Sequence, residues 1–129
     1  MAGRAHVLNE KASNPLSQFR KVNTDGTLNL AKQAIASGVR RFIYISSIGV
    51  NGAETKSGGF RSSDIVAPHS PYAVSKWEAE QGLWEIAASA SMAVVIIRPP
   101  LILGKNPKGN LGSLLKLINT GLPLPFGKI

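Results

Sequence analysis

The sequence contains no cysteine, few acidic residues and no long apolar run. Without cysteine, disulfide bridges, thiolate metal ligands and cysteine nucleophiles are excluded. The longest apolar run, Met92 to Ile97, has the length of a strand and falls far short of the ~18 residues that a membrane-spanning helix needs. Because the stretch from Met1 to His6 also lacks the apolar segment of a signal peptide, we expect a cytoplasmic protein without a membrane span.

The scarcity of acidic residues leaves a strong positive charge. Fifteen basic residues against seven acidic ones give a net charge of +8, which is typical of proteins that bind nucleic acid, an acidic membrane surface or a phosphorylated substrate. The basic residues are scattered, however: only Arg20-Lys21 and Arg40-Arg41 are adjacent, and no set of stacking aromatic residues accompanies them. This distribution argues against nucleic acid and favours an anionic, phosphate-bearing ligand.

The hydrophobic pattern predicts an α/β protein in one domain, residues 1–129. Two continuously apolar strands flank a helix of about five turns, which is a βαβ unit. We therefore expect two buried, parallel strands joined by a right-handed crossover. The pattern places helices over Pro15 to Ser37, Ser70 to Ala90 and Leu111 to Thr120, strands over Arg41 to Ser46 and Met92 to Ile97, and an extended tail over Leu122 to Gly127.

One stretch carries the strongest chemical signal. Ser70 and Pro71 form a helix-start signal, because serine caps a helix and proline suits its first position. Tyr72 and Lys76 follow at i and i+4, on one helical face. A neighbouring ammonium and the positive helix end favour phenolate, so we expect a lowered pKa for Tyr72 and a role as a base. A half-buried tyrosine beside a solvated lysine is the structural alternative.

Polar residues follow both predicted strands at their carboxyl ends. Ser46 and Ser47 end the first strand, and Arg98 and Pro99 follow the second. Because ligands of open α/β sheets bind at this edge, and the helix that starts beside Tyr72 begins there as well, we expect the serine hydroxyl, the phenol and the ammonium to converge.

Four segments in this order resemble the NAD-dependent epimerase/dehydratase family of extended short-chain dehydrogenases/reductases, and within it the UDP-glucose 4-epimerase-like enzymes. They are Asn23 to Leu30, Arg41 to Gly52, Ser70 to Lys76 and Ile97 to Leu101. The resemblance implies a Rossmann-type three-layer sandwich, NAD as cofactor and a nucleotide-sugar, a UDP-hexose, as substrate.

The resemblance also implies the site roles. Tyr72 would be the general acid/base, Lys76 would hold the nicotinamide ribose, and Ser47 would hydrogen-bond the reacting sugar hydroxyl. In this family the tyrosine takes a proton from that hydroxyl while a hydride passes to NAD, and the keto-sugar is then reduced on its other face.

Further residues have either a ligand-binding or a structural role. The resemblance implies that the cofactor is contacted by Asn23, Ser46 and Pro99. Asn23 could instead be an ordinary surface residue. Ser46 and Ser47 could instead satisfy backbone groups at the end of the strand. Arg98 fits a phosphate ligand of the substrate and a structural ion-pair partner equally well.

The chain departs from the family in one motif above all. It contains no Gly-x-x-Gly-x-x-Gly loop to cradle the pyrophosphate, and no acidic residue follows ~20 residues later to bind the ribose. Asn51 also stands where the family has tyrosine. The sequence therefore predicts the middle segment of an epimerase, without the N-terminal dinucleotide-binding half, inactive alone and weak in binding NAD. A stand-alone oligomeric module, or a basic binding protein that reuses the fold, is the alternative.

We also expect a homo-oligomer. The first strand would leave an apolar edge unpaired, which invites pairing with another chain. By resemblance, the helices from Pro15 and Ser70 match the pair through which family members dimerise, and Trp77 and Trp84 would supply apolar area there.

Overall fold

The computed structural model describes residues 3–4, 14–55, 58–102 and 110–120. Its elements, in chain order, are α1 (Pro15–Phe19), a π-helical segment (Arg20–Asp25), α2 (Gly26–Ala36), β1 (Arg41–Ile45), a short 3-10 turn (Ile48–Val50), α3 (Pro71–Ala88), β2 (Ala93–Ile97) and α4 (Asn110–Asn119). The predicted order of helices and strands is thus confirmed. The predicted tail, residues 122–127, lies outside the described residues.

The two strands form a parallel sheet, as the βαβ pattern predicts. Arg41 pairs with Ala93 and Ile45 with Ile97, so β1 and β2 match along their full length. The α/β fold with parallel strands around a crossover helix is the expected partial Rossmann-type arrangement. Among the described helices, none is long and apolar enough to cross a membrane.

The first predicted helix contains a π-helical segment that the sequence pattern does not reveal. Asn14 caps α1, since its side chain accepts a hydrogen bond from the Ser17 backbone N–H at 3.1 Å. Within this segment Asn23 and Thr24 are buried and Val22 is 44% exposed. The sequence pattern instead predicts that Val22 belongs to the apolar stripe of this helix, with Phe19, Leu28, Ala31 and Ile35. A π-turn holds more residues than an α-turn, so it rotates the following residues relative to a regular stripe. The sequence predicts that Gly38 follows the helix as the residue after its C-cap. The helix ends at Ala36, Ser37 is the C-cap, and Gly38 follows with a positive φ of 77°.

The core lies between the sheet and the helices α2 and α3. Its buried members are Ala31, Tyr44, Ala79, Leu83, Met92 and Val94. Phe42, Tyr44, Val94 and Ile96 alternate along the strands, so one face of the sheet packs on the helices.

The opposite face of the sheet departs from the prediction of two buried strands. Ile43 is 57% exposed, Val95 42% and Ile97 45%. Both faces of the strands are apolar, as in parallel sheets generally, but within the described residues the face that carries Ile43, Val95 and Ile97 is about half exposed.

The sequence pattern predicts an apolar stripe on α3 made of Ala73, Trp77, Trp84 and Ala88, and this prediction is wrong. Of its four residues only Ala73 is buried, and Trp84 is about half exposed. The buried face of α3 instead contains Ser75, Lys76, Ala79, Glu80 and Leu83. The helix therefore turns two charged side chains inward, those of Lys76 and Glu80, and both belong to the candidate site.

Candidate active site

The helix-start signal at Ser70 forms as predicted. Ser70 has an extended backbone, and its Oγ accepts a hydrogen bond from the Ala73 backbone N–H at 3.2 Å. Pro71 occupies the first turn of α3. This cap fixes where α3 begins and therefore where Tyr72 lies relative to the sheet.

The pairing of the two chain segments continues beyond the strands. The Ser46 backbone N–H donates to the Ile97 carbonyl at 2.7 Å, and the Ile48 backbone N–H donates to the Pro99 carbonyl at 3.0 Å. These hydrogen bonds bring the serine pair and Pro99 to the same carboxyl edge of the sheet. The predicted location of these three residues is therefore observed.

Ser47 lies at this edge beside the first turn of α3. Its Oγ accepts a hydrogen bond from the Gly49 backbone N–H at 3.2 Å and so caps the 3-10 turn. A Cβ added at Gly49 would lie 3.4 Å from Ser47 Oγ and 3.6 Å from Ala73 Cβ. Gly49 thus allows the serine loop to approach α3 closely, and Ser47, Tyr72 and Lys76 belong to one end of the molecule, as the strand order predicts.

Lys76 is buried, and its ammonium lies at the end of β1. Its Nζ donates to the Ile45 carbonyl at 2.6 Å and lies 4.1 Å from the centroid of the Tyr44 ring. Burial lowers the pKa of Lys76 to about 8, and the nearby Glu80 carboxylate acts in the opposite direction. The alternative of a solvated lysine is thereby excluded.

The environment of Tyr72 differs from the sequence expectation. Its ring packs edge-on against Phe19, with ring centroids 5.9 Å apart and an interplanar angle of 71°. Burial raises the pKa of Tyr72, whereas the sequence predicts a lowered value. The expected effect of Lys76 is missing because its ammonium binds the Ile45 carbonyl and the Tyr44 ring, so desolvation of the phenolate dominates.

Asn23 is buried in the π-helical segment, which excludes the alternative of an ordinary surface residue. Its Nδ2 donates to the Arg4 carbonyl at 3.0 Å and to Ser75 Oγ at 3.2 Å, and its Oδ1 accepts from the Arg4 backbone N–H at 2.8 Å. Thr24 Oγ1 also donates to the Ser75 carbonyl, at 2.9 Å. Asn23 therefore joins the first helix to α3 just behind Tyr72, and its contact with a cofactor stays a prediction.

Arg98 forms a two-pronged ion pair with Glu80, a residue that the sequence analysis did not identify. Its Nε and Nη2 donate to the Glu80 carboxylate at 3.0 Å and 2.6 Å, and its Nη1 donates to Asn51 Oδ1 at 3.1 Å. The guanidinium also lies 5.6 Å from the centroid of the Trp77 ring. This arrangement favours the structural role of Arg98 over that of a phosphate ligand.

Glu80 and Tyr44 had detectable signals in the sequence. Glu80 follows Lys76 by four residues, so the two share a helical face. Tyr44 precedes Ser46 by two residues, so both point to the same side of β1. These spacings do not show that Glu80 is buried, because only packing decides which face of the helix turns inward.

A cavity of about 390 Å³ lies beside these residues. Phe60, Arg61, Trp84 and Arg98 contribute to its walls, and Ser47, Tyr72 and Lys76 do not. Asn51 closes one side, since its Nδ2 donates to the Arg61 carbonyl at 3.2 Å. No group of residues that could hold a metal ion occurs in the ranges that the structure describes.

Comparison with known proteins gives a consistent match. The family model described as "NAD dependent epimerase/dehydratase family" matches residues 1–124. A UDP-glucose 4-epimerase of Vibrio cholerae is 54% identical over 129 residues, which are 99% of this chain and 39% of that protein. The chain thus spans well under half the length of this relative.

Solved structures match the fold. A UDP-glucuronic acid 4-epimerase from Bacillus cereus in complex with NAD superposes with a TM-score of 0.80 at 22% identity, covering 96% of this chain and 39% of that one. MoeE5 in complex with UDP-glucuronic acid and NAD superposes with a TM-score of 0.66 at 27% identity, covering 76% of this chain and 32% of that one. The first likeness concerns the fold alone.

Proposed function

The chain belongs to the NAD-dependent epimerase/dehydratase family, and we propose that it is the acid–base segment of a cytoplasmic nucleotide-sugar epimerase, one domain over residues 1–129. The observation that carries this proposal is that Ser47 and the start of α3, with Tyr72 and Lys76, lie at the same sheet edge in a chain 54% identical to a UDP-glucose 4-epimerase. The substrate class is a UDP-hexose, by analogy with that relative.

Each of the three residues has a role that suits its surroundings. Tyr72 exchanges a proton with the reacting sugar hydroxyl, and its raised pKa keeps it a proton donor at neutral pH until an ammonium approaches. Ser47 Oγ accepts one backbone hydrogen bond and keeps its own O–H free to orient the same hydroxyl. Lys76 supplies the positive charge that favours phenolate when its ammonium lies near Tyr72.

The residues at this edge fit the nicotinamide side of NAD. Bound NAD would supply the hydride acceptor for sugar oxidation. Ser46 Oγ is buried and has no hydrogen-bond partner among the described residues, and Lys76 Nζ uses one of its three N–H groups on a carbonyl. Both groups could bind ribose hydroxyls, with Asn23 and Pro99 close to the same edge.

The pyrophosphate side of NAD has no counterpart in these 129 residues, because the glycine loop is absent. Without its backbone N–H groups and helix dipole, binding depends on the nicotinamide side alone. We therefore propose that the chain alone is inactive and binds NAD with a dissociation constant no better than about 1 mM, or about −4 kcal/mol.

Titration followed by amide NMR tests this proposal. Millimolar NAD is expected to shift the resonances of Ser46, Ser47 and Lys76, and Lys76→Met is expected to weaken the effect. The matched control is Lys32→Met, because Lys32 is an exposed lysine on α2. A micromolar affinity, or shifts that do not depend on Lys76, would contradict the assignment.

Self-association is part of the proposal, supported by the exposed apolar sheet face around Ile43 and by the unpaired edge of β1. Light scattering on the purified chain is expected to show a dimer or larger assembly, and a stable monomer at micromolar concentration would refute this. Trp84→Glu separates the two routes: it dissociates a dimer formed through the helices and leaves one formed through the strands intact.

An anion-binding module that reuses the fold is the second candidate, favoured by the net charge of +8. Nucleic-acid binding would show as a gel shift whose affinity falls steeply with salt. The first candidate predicts no such shift, and binding of NAD at the serine edge instead.

A further inference from the structure

The ammonium of Lys76 binds at one position on β1, here called the seat, which is formed by the Tyr44 ring and the Ile45 carbonyl. It lies 4.1 Å above the Tyr44 ring centroid and donates to the carbonyl of the next residue, Ile45, at 2.6 Å. Tyr44 is itself buried in the core between the sheet and the helices, so its ring cannot move away without disturbing the packing. The seat is thus part of the folded core.

The ammonium makes two contacts at this position, one with the Tyr44 ring and one with the Ile45 carbonyl. The ring attracts the cation through the negative face of its π-system, and such contacts are strongest where water is excluded. The carbonyl accepts a conventional hydrogen bond. Among the described residues Lys76 Nζ makes these two contacts, of which one uses an N–H group as a hydrogen-bond donor, so the ammonium keeps N–H capacity for a ligand at the end of β1.

We propose that Tyr44 is a positioning residue for Lys76, whose ring holds the ammonium at the end of β1 with one N–H directed to a ribose hydroxyl. This inference rests on the proposed function and adds to it a residue that acts through Lys76 rather than on the ligand. The phenol hydroxyl of Tyr44 has no part in this role, since the contact involves the ring face.

The charged and titratable groups around the ammonium come from two elements. Glu80 lies one turn along α3 and favours the charged lysine, although its carboxylate is bound by Arg98 from the end of β2. Tyr44 lies on β1, and Tyr72 begins the same turn of α3 as Lys76. Since Glu80 and Tyr72 are unchanged by a substitution at position 44, an effect on Lys76 can be assigned to the ring.

The test is a fluorination series at position 44. Replacing Tyr44 by phenylalanine, and then by phenylalanines with increasing ring fluorination, keeps the shape of the ring but withdraws electrons from its face. The titration midpoint of Lys76 is followed by NMR of lysine labelled at Cε, with Lys76→Met to assign the resonance.

Tyr44→Phe is expected to leave the midpoint unchanged, and fluorination is expected to lower it stepwise, by roughly one pH unit over the series. Weaker NAD binding should follow the same order. A leucine at position 44, which removes the ring, should resemble the most fluorinated variant if it folds. A midpoint that is constant across the isosteric series would overturn the proposal.

The two readouts separate this proposal from the proposed function. If the midpoint falls stepwise while no variant binds NAD, Tyr44 still positions Lys76, and the assignment of the cofactor fails. If the midpoint is constant while NAD binding depends on Lys76, the cofactor assignment stands and the role of Tyr44 is refuted.

Discussion

Two arginine–glutamate pairs lie on different sides of α3, although their glutamates are only two residues apart. Arg20 and Glu78 pair in the solvent, with side chains 48% and 31% exposed. Arg98 and Glu80 pair beneath the helix, where the side chains are 19% and 0% exposed. In both pairs two guanidinium nitrogens bind the carboxylate.

The two pairs have similar contacts but different surroundings, and the surroundings decide how much an ion pair contributes to the free energy of unfolding. Exposed pairs contribute little because water screens the charges and two long side chains lose freedom. A buried pair gives modest net stability, but either charge left alone inside the protein is costly. The Arg20–Glu78 pair lies on the surface, whereas the Arg98–Glu80 pair connects the end of β2 to the helix that carries Tyr72 and Lys76.

The largest expected effect comes from breaking the buried pair. Arg98→Met leaves the Glu80 carboxylate buried without its partner, so the free energy of unfolding should fall by about 3–5 kcal/mol. Urea denaturation followed by circular dichroism measures this change.

The matched control removes both charges. The double variant Glu80→Met with Arg98→Met should recover most of the lost stability, because a well-packed apolar pair can replace a buried ion pair. A double variant as unstable as Arg98→Met alone would mean that the guanidinium acts mainly through Asn51 and Trp77.

An intermediate effect is expected from Lys76, whose ammonium lies one turn before Glu80. Its pKa is about 8 in the folded protein, against 10.5 as the ordinary value. Below pH 8 both states are protonated; between pH 8 and 10 the unfolded chain holds the proton and the folded protein loses it. The free energy of unfolding should therefore rise over this range, by about 1 kcal/mol once solvent screening is allowed for.

Denaturation curves across this pH range check the effect, which Lys76→Met should abolish and Lys32→Met should leave intact. Above pH 10 the trend should reverse, because burial raises the pKa values of Tyr72 and Tyr44 and so favours their protonated, folded forms. A flat profile in the unmodified protein would place the Lys76 ammonium in water.

The smallest effect is expected at the exposed pair. Glu78→Ala should change the free energy of unfolding too little to resolve at physiological salt, and any difference seen at low salt should vanish as salt is added. A loss comparable to that of Arg98→Met would break the distinction between the two pairs.

Local signals in the sequence predicted most of the helices and strands. The Ser70–Pro71 helix start, the glycine that ends α2 and the two apolar strands all formed where expected, because caps, turns and strand patterns depend on neighbouring residues. The order of strand, helix and strand then implied parallel pairing and one common edge for Ser47, Tyr72 and Pro99.

Sequence by itself therefore determined the elements, their order and the edge at which the site residues meet. Tertiary structure alone decided that Val22 turns outward within the π-helical segment, that α3 buries Glu80 in place of Trp84, and that the ammonium of Lys76 faces Tyr44 and not Tyr72. These outcomes depend on which helix face meets the sheet and on which partner each buried charge finds there. Packing and desolvation, which act between residues distant in the chain, set both.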